Sequence, residues 1–458
     1  MRIAGSKNTR RTFLTSAAVA STAYALLPRS EEAPAAGPND KVRIATIGTG
    51  IIGFIDTDCA LKVPGVELVA AADLYEGRRL HVKERYGDRI DTYVDYREIL
   101  ARKDVDAVLL CVPDHWHAKM SIDAMRAGKA VYCEKPMVQT IEEGPEVIAV
   151  QKETKAVFQV GSQYASSIVF EKLREMIAAG AIGKVNVVEA RYNRNTSLGA
   201  WQYTLPTDAS PETVDWDRFL GSAPKRPFDP IRFFRWRNYQ DYGTAVAGDL
   251  FVHLLTGVHH AIGALGPNKV AAMGGMRYWD DGRDVYDVIL GLLDYPATDA
   301  HPSFTLSLQC DFEDGGGDAT AFRFVGDEGV VSVGFDSLEL KRVGMSWPTA
   351  EQELKGYNSV QTFSKSQQDA IAAKLASLPP RARKTNAYEG VEKFKAPAGY
   401  DARYDHFVKF FQSVREAKPV YEDAVFGYRA AAPALLANKS YFESRMIGWD
   451  PVEMRATS

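Results

Sequence analysis

Val42-Arg43-Ile44-Ala45-Thr46-Ile47-Gly48-Thr49-Gly50-Ile51-Ile52-Gly53 joins a β-branched run to a turn with glycine at three spaced positions. In a strand-turn-helix unit, Gly48 makes the tight turn, Gly50 lets backbone approach a pyrophosphate, and Gly53 permits close packing of helix on strand. The phosphate then sits at the helix N-terminus. A glycine triplet alone is weak evidence. Here a second apolar run, Val66-Glu67-Leu68-Val69-Ala70-Ala71-Ala72, ends at Asp73, 20 residues beyond Gly53. That is the distance at which an acid meets the ribose hydroxyls of a dinucleotide.

The pattern continues outward from this unit. Ala107-Val108-Leu109-Leu110-Cys111-Val112 stops at Pro113, and a helix-like stretch from Ala118 to Ala127 leads to Ala130-Val131-Tyr132-Cys133. Residues 137–155 form a crossover helix in this reading, and Ala156-Val157-Phe158-Gln159-Val160-Gly161 is the last strand. Strands alternating with helices predict a parallel sheet with right-handed crossovers, a Rossmann dinucleotide-binding domain over residues 40–162. Asp73 favours NAD, since a carboxylate pairs with a free ribose hydroxyl and repels a phosphate there. Arg78 and Arg79 follow closely enough to leave NADP open.

Composition narrows the class. The chain has 458 residues, is 46% hydrophobic and 25% charged, and carries a net charge of -4, the balance of a soluble globular protein without the basic field that nucleic acid requires. Four cysteines, Cys59, Cys111, Cys133 and Cys310, are far apart and give no disulfide framework or zinc spacing. Residues 1–36 depart from the average: five basic residues against Glu31 and Glu32 give +3, which leaves -7 for the rest. Thr9-Arg10-Arg11-Thr12-Phe13-Leu14, a mild apolar run from Ser16 to Leu27, and Ala33-Pro34-Ala35-Ala36 resemble a twin-arginine signal peptide. The run is shorter than the ~20 residues of a membrane span. Its implication is export to the periplasm or beyond by a route that carries folded proteins, with no membrane span in the mature chain.

Glu134-Lys135-Pro136 at the end of the fifth strand, Pro113-Asp114-His115-Trp116-His117-Ala118 one crossover earlier, the glycine turn, and Asp249-Leu250-Phe251-Val252-His253 together resemble the Gfo/Idh/MocA family of sugar and polyol oxidoreductases. The resemblance covers most of residues 40–340. It implies an α/β fold in which the Rossmann domain precedes a C-terminal α/β domain with an open, mostly antiparallel sheet, here residues 163–446. It further implies cofactor contacts from Gly48, Gly50, Ile52, Gly53, Asp73, Pro113, His117, Glu134 and Lys135.

Chemistry supports this set. Lys135 lies at the carboxyl edge of a parallel sheet, where open α/β folds bind ligands. An ammonium there stabilises charge on a substrate oxygen as hydride leaves the adjoining carbon. Asp249 and His253 are four apart and would share one helix face, so that the carboxylate fixes the imidazole tautomer and raises its basicity. His253 is then the general base for a hydroxyl proton. Gly243 and Gly248 would let the preceding turn approach closely. Pro136 is a candidate for a cis peptide. His117 either faces the nicotinamide or closes its own turn, and Trp116 reads as packing. His259 and His260, about two turns beyond His253, read as helix-face residues; a metal bound with Asp249 lacks a metal-site signature, so none is expected.

In the second domain, Arg191-Tyr192-Asn193 ends the strand opened by Val185-Asn186-Val187-Val188-Glu189-Ala190, and Phe233-Phe234-Arg235-Trp236-Arg237 leads toward Asp249. Arg191, Tyr192, Trp236 and Arg237 suit a sugar, which presents a CH face for stacking and hydroxyls for donors, and suit a buried seam almost as well. Further strands are expected over Val285 to Leu293, Phe304 to Phe312, Ala321 to Phe324 and Val330 to Val333, the last two joined by Gly326-Asp327-Glu328-Gly329. Residues 346–400 read as a surface excursion, and Tyr404 to Ala417 and Val425 to Arg445 as helices closing the second domain. One sheet face is left needing cover, and the resemblance implies a homodimer or homotetramer. The reading that follows is an exported enzyme moving a hydride between a sugar, glycoside or polyol carbon and a tightly held NAD or NADP. The alternative is an NAD-dependent glycoside hydrolase of the same family, which oxidises its sugar transiently and eliminates the aglycone; Glu134-Lys135-Pro136 argues for net redox chemistry. A sugar sensor with a vestigial nucleotide fold is disfavoured by the full catalytic set.

Overall fold

The computed structural model describes residues 41–342, 348–378 and 390–457. The twin-arginine segment and Pro379-Pro380-Arg381-Ala382-Arg383-Lys384 lie outside these. The first sheet has six strands: β1 (Val42–Ile47), β2 (Val66–Ala72), β3 (Asp91–Tyr93), β4 (Ala107–Leu110), β5 (Ala130–Glu134) and β6 (Phe158–Gly161). Their order is β3-β2-β1-β4-β5-β6 and every pairing is parallel. β1 and β4 are apolar almost throughout, as strands covered on both faces must be. The chain order reverses beside β1, so the crevice outside the carboxyl ends of β1 and β4 is where such a sheet binds ligands.

The second sheet has ten strands: β7 (Val185–Asn193), β8 (Lys269–Gly275), β9 (Val288–Tyr295), β10 (Phe304–Asp311), β11 (Ala319–Gly326), β12 (Gly329–Val333), β13 (Ser337–Arg342), β14 (Gly390–Lys395), β15 (Ile447–Asp450) and β16 (Arg455–Thr457). They are ordered β14-β13-β12-β11-β7-β10-β9-β8-β15-β16, and only β7 with β10 is parallel. The mostly antiparallel sheet is therefore as expected. The helices Ile168–Ala178, Val252–Ile262 and Ala424–Glu443 belong to the same buried cluster as its inner residues, such as Ile289, Leu293 and Phe324. On the outer face Met273, Leu290 and Leu292 are more than half exposed, which leaves an apolar surface.

Three expectations need correction. Residues 346–400 are not wholly an excursion, because Gly390–Lys395 adds β14 to the sheet edge through pairings with β13 from Ser337↔Lys395 to Arg342↔Gly390. The strand expected from Val285 begins at Val288, because buried Asp287 accepts bonds at 2.7 Å from the backbone N–H groups of Arg277, Tyr278 and Trp279, fixing that segment as a turn. The helix Ala402–Glu416 does not close the second domain. Its Phe407, Phe410 and Phe411 are fully buried in one cluster with Val42, Ile44 and Leu68, and Phe407 stacks on Tyr132 of β5 at 4.4 Å. The chain's late return thus covers one face of the Rossmann sheet.

Candidate active site

The glycine turn is built as a cradle. Gly48 has φ +88°, and a Cβ there would lie 2.5 Å from the carbonyl oxygen of Cys111; a Cβ on Gly53 would lie 2.0 Å from that of Gly48. Gly50 caps the helix Ile51–Ala60, and its Cβ would meet nothing nearer than the Arg78 guanidinium at 3.7 Å. Open backbone N–H groups at this helix start suit a pyrophosphate. Asp73, just past β2, accepts from Thr49 N at 2.8 Å and Tyr75 N at 2.9 Å, with Arg78 at 3.6 Å. Oδ2 also accepts from Thr49 Oγ1 at 3.3 Å, whereas Oδ1, with the Tyr75 bond alone, keeps lone-pair capacity for a ribose hydroxyl. The chain thus fits a dinucleotide on turn geometry and on donor chemistry. Arg78 in turn lies over Phe233 and Phe234 of the second domain at 5.9 and 5.3 Å, so both domains brace it.

One cleft of about 310 Å³ runs from this turn to the second sheet. Gly48, Gly50, Ile52, Asp73, Pro113, His117, Glu134 and Lys135 line it, whereas Gly53 packs beneath the turn. His117 closes its own turn: its ring nitrogens lie 2.6 Å from Pro136 O and 2.8 Å from Val112 O, which leaves neither free for a ligand. The Lys135-Pro136 bond is cis. Trp116 donates to Phe219 O at 2.9 Å while also lining the cleft.

Lys135, Asp249, Arg237 and His253 converge at the far end. Lys135 Nζ donates to the Asp249 carboxylate at 2.8 Å and to its carbonyl at 2.9 Å, and Arg237 Nε donates to the same carboxylate oxygen at 3.1 Å. The backbone explains this double grip. Ala245 has φ +51°, and Ala247–Phe251 is a π-turn leading into the helix Val252–Ile262, a widening that loosens the carbonyl ladder where Lys135 bonds it. The simple helix face expected of Asp249 and His253 is therefore corrected. Two cations take the Asp249 carboxylate, and His253 packs between Tyr164 at 6.0 Å and Tyr192 at 5.9 Å with no protein hydrogen bond among the described residues. A Cβ on Gly248 would sit 2.3 Å from Thr244 Cβ, and Thr244 Oγ1 donates to Asp114 at 2.7 Å.

The electrostatics follow from burial and these charges. Burial alone would raise Asp249, but Lys135 and then Arg237 more than offset it and hold the carboxyl below the usual range. Asp114 is pushed up to about 7 by burial and then by the charge of Asp249. His253 is pushed well below an ordinary imidazole, first by burial and then by Lys135, against the opposing pull of Asp249. It is neutral at neutral pH and can accept a proton. Asp249 thus anchors Lys135 more than it raises His253.

Tyr192, Trp236 and Arg237 line the cleft, but Arg191 lies on the opposite, outer sheet face. Side chains alternate along a strand, so the inward partner of Tyr192 is Arg194, two residues on. Trp201 and Tyr203, Asp114, and Arg403 from the helix Ala402–Glu416 also line the cleft and were not foreseen. Arg194 was legible from that alternation, whereas the loop aromatics carried no periodic signal. Trp201 is buried in a left-handed conformation at φ +67°, a strain common at binding sites. His259 and His260 point elsewhere, to Tyr295 OH at 2.8 Å and Glu171 at 3.2 Å, and no cluster among the described residues could hold a metal.

Residues 42–162 match the Gfo/Idh/MocA family model, described as an oxidoreductase family with an NAD-binding Rossmann fold. Inositol 2-dehydrogenase of Salmonella paratyphi B is 34% identical over 159 residues, 33% of this chain and 47% of that protein. Myo-inositol 2-dehydrogenase of Thermotoga maritima is 31% identical over 147 residues, 32% of this chain and 44% of that protein. The chain thus spans about half the length of the curated relatives it matches. A levoglucosan dehydrogenase solved with NADH and levoglucosan superposes with a TM-score of 0.63 at 17% identity, over 89% of this chain and 99% of that one. An oxidoreductase domain protein from Kribbella flavida gives 0.63 at 17% identity, over 89% and 98%. At these identities the likeness is one of fold.

Proposed function

We propose that the whole chain is a Gfo/Idh/MocA-type dehydrogenase that oxidises a secondary hydroxyl of a sugar or polyol. The observation that carries this is Lys135, fixed by Asp249 beside a neutral His253 that has no hydrogen bond among the described residues, at the end of the cleft that begins at the Gly48–Gly53 turn. When bound, a nicotinamide dinucleotide supplies the hydride acceptor. Gly48 and Gly50 would hold its pyrophosphate and Asp73 a ribose.

Lys135 donates toward the substrate oxygen and stabilises the negative charge that grows there. His253 takes the hydroxyl proton at a free ring nitrogen. Asp249, itself gripped by Arg237, holds the ammonium in place. The aromatic walls of Tyr192, Trp201 and Trp236 exclude water, and Tyr192 and Trp236 are available to the ring's CH face. Asp73 supports NAD, with Arg78 close enough to admit NADP. The exposed apolar face with Met273, Leu290 and Leu292 supports a homo-oligomer, and Arg10-Arg11 with the run behind it supports twin-arginine export.

A sugar and polyol panel read by absorbance of reduced nicotinamide tests the reading. At least one substrate should give reduction that depends on added or co-purified NAD. Binding of neither NAD nor NADP would overturn it, and aglycone release from aryl glycosides without net reduction would replace it with hydrolysis.

A further inference from the structure

Six basic residues line the cleft, and five of them stand within ion-pair distance of a carboxylate. Arg78 faces Asp73, Lys135 and Arg237 share Asp249, Arg218 pairs with Asp215, and Arg403 faces Asp56 at 3.5 Å. Arg194 has no carboxylate partner among the described residues.

Its side chain is nevertheless fixed. Nη1 donates to Gly199 O at 2.8 Å, and the guanidinium lies 5.2 Å from the Tyr192 ring centre and 5.7 Å from that of Phe312. That leaves Nε and Nη2, the pair of parallel donors that matches a carboxylate in two-point geometry, without an acceptor among the described residues. Three cations, Lys135, Arg194 and Arg237, thus gather at the inner end against Asp249 and an Asp114 whose carboxyl is pushed up to about 7 by burial and then by Asp249, while Glu134 on the same cleft is set against Arg403. A half-buried excess of positive charge is costly unless an anion completes it.

We propose that the substrate is a sugar acid whose carboxylate docks on the Nε and Nη2 donors of Arg194 while its ring lies against the Tyr192 and Trp236 walls. This rests on the sugar dehydrogenase reading and deepens it. A guanidinium fork takes two oxygens of a carboxylate or of a phosphate, so a sugar phosphate is the competing anion that the test includes. A neutral sugar leaves the fork unmatched.

The test is titration calorimetry of the NAD-loaded full chain with D-glucuronate, D-galacturonate, their neutral parent hexoses and glucose 6-phosphate, followed by steady-state reduction with each. The uronates should bind about 30-fold more tightly than the hexoses, the scale of a charge-assisted hydrogen-bond pair. The preference should shrink with salt, and Arg194→Gln should remove most of it, with Arg194→Lys keeping part. The salt series on the unaltered protein decides the matter if Arg194→Gln does not fold. Equal affinity for uronates and hexoses, or tighter binding of glucose 6-phosphate, overturns the proposal. Uronate binding through Arg194 with no nicotinamide reduction keeps the docking claim and removes the dehydrogenase reading, so the two failures are distinct.

Discussion

Lys135→Gln is the substitution on which the chemistry turns. The glutamine keeps a donor of similar reach but removes the charge, and three consequences can be sized. Losing an ammonium from the oxygen that becomes negative should cost about 100- to 1,000-fold in kcat, roughly 2.7–4 kcal/mol, as for loss of one oxyanion donor. Breaking a fully desolvated pair costs about 3–5 kcal/mol when the partner is left alone, but Arg237 stays on Asp249 at 3.1 Å, so the stability loss should be only about 1–2 kcal/mol. The depressed Asp249 contributes stability that is complete above its ordinary value of 3.8 and is lost as pH falls through its folded value, so the stability gap between the two proteins should narrow in acid. The third consequence separates chemistry from folding. Lys135 helps to push His253 down, so without it the acid limb of kcat/KM should move to higher pH. The assays are steady-state reduction of NAD across pH and urea unfolding at two pH values. A kcat within about threefold of the parent, or an acid limb that moves down, would refute the reasoning.

Other outcomes follow from the same geometry. In the unaltered protein the acid limb of kcat/KM should fall below pH 6.5, the ordinary imidazole value, because His253 is depressed, and His253→Ala should abolish that limb; a limb at 7 or above would count against His253 as the base. Gly53→Ala should abolish NAD binding measured by calorimetry, since its Cβ would meet Gly48 O at 2.0 Å, and retained affinity would show that the turn is not the phosphate cradle. Phe407→Ala should cost about 3–5 kcal/mol in urea unfolding, as for a fully buried aromatic, and should weaken NAD binding through the Rossmann core. A loss below about 1 kcal/mol would show that the helix Ala402–Glu416 is dispensable to that core.

The dinucleotide half was legible because its signals are local. A β-branched run leads into Gly48 and Gly53, which stand where a Cβ would clash, Gly50 leaves the helix start open, Asp73 follows the second strand at the ribose distance, and the strand-helix alternation fixes a parallel sheet. What stayed hidden depends on long separations or on competition. β14 pairs with β13 across more than 40 residues, and the helix Ala402–Glu416 crosses most of the chain to reach β1 and β5; no period in the sequence encodes either partner. Asp249 and His253 have the right spacing to meet. The nearer and stronger partners Lys135 and Arg237, on other elements, win the carboxylate, and the π-turn at Ala247–Phe251 changes the helix on which the spacing argument stood. Arg191 was misplaced by one step of strand alternation, and Arg194 two residues past Tyr192 is the side chain that faces the cleft.

The central claim is hydride transfer from a substrate carbon in the cleft that Lys135 and His253 close. Its most direct measurement is incubation of the NAD-loaded protein with a sugar deuterated at each ring carbon in turn, followed by mass spectrometry and proton NMR of the recovered nucleotide. One labelled carbon should deliver a single deuterium to one face of the nicotinamide, with the transfer slowed in Lys135→Gln and His253→Ala. Reduced nucleotide free of label from every deuterated sugar, or label exchanged into water while the sugar is hydrolysed, would contradict it.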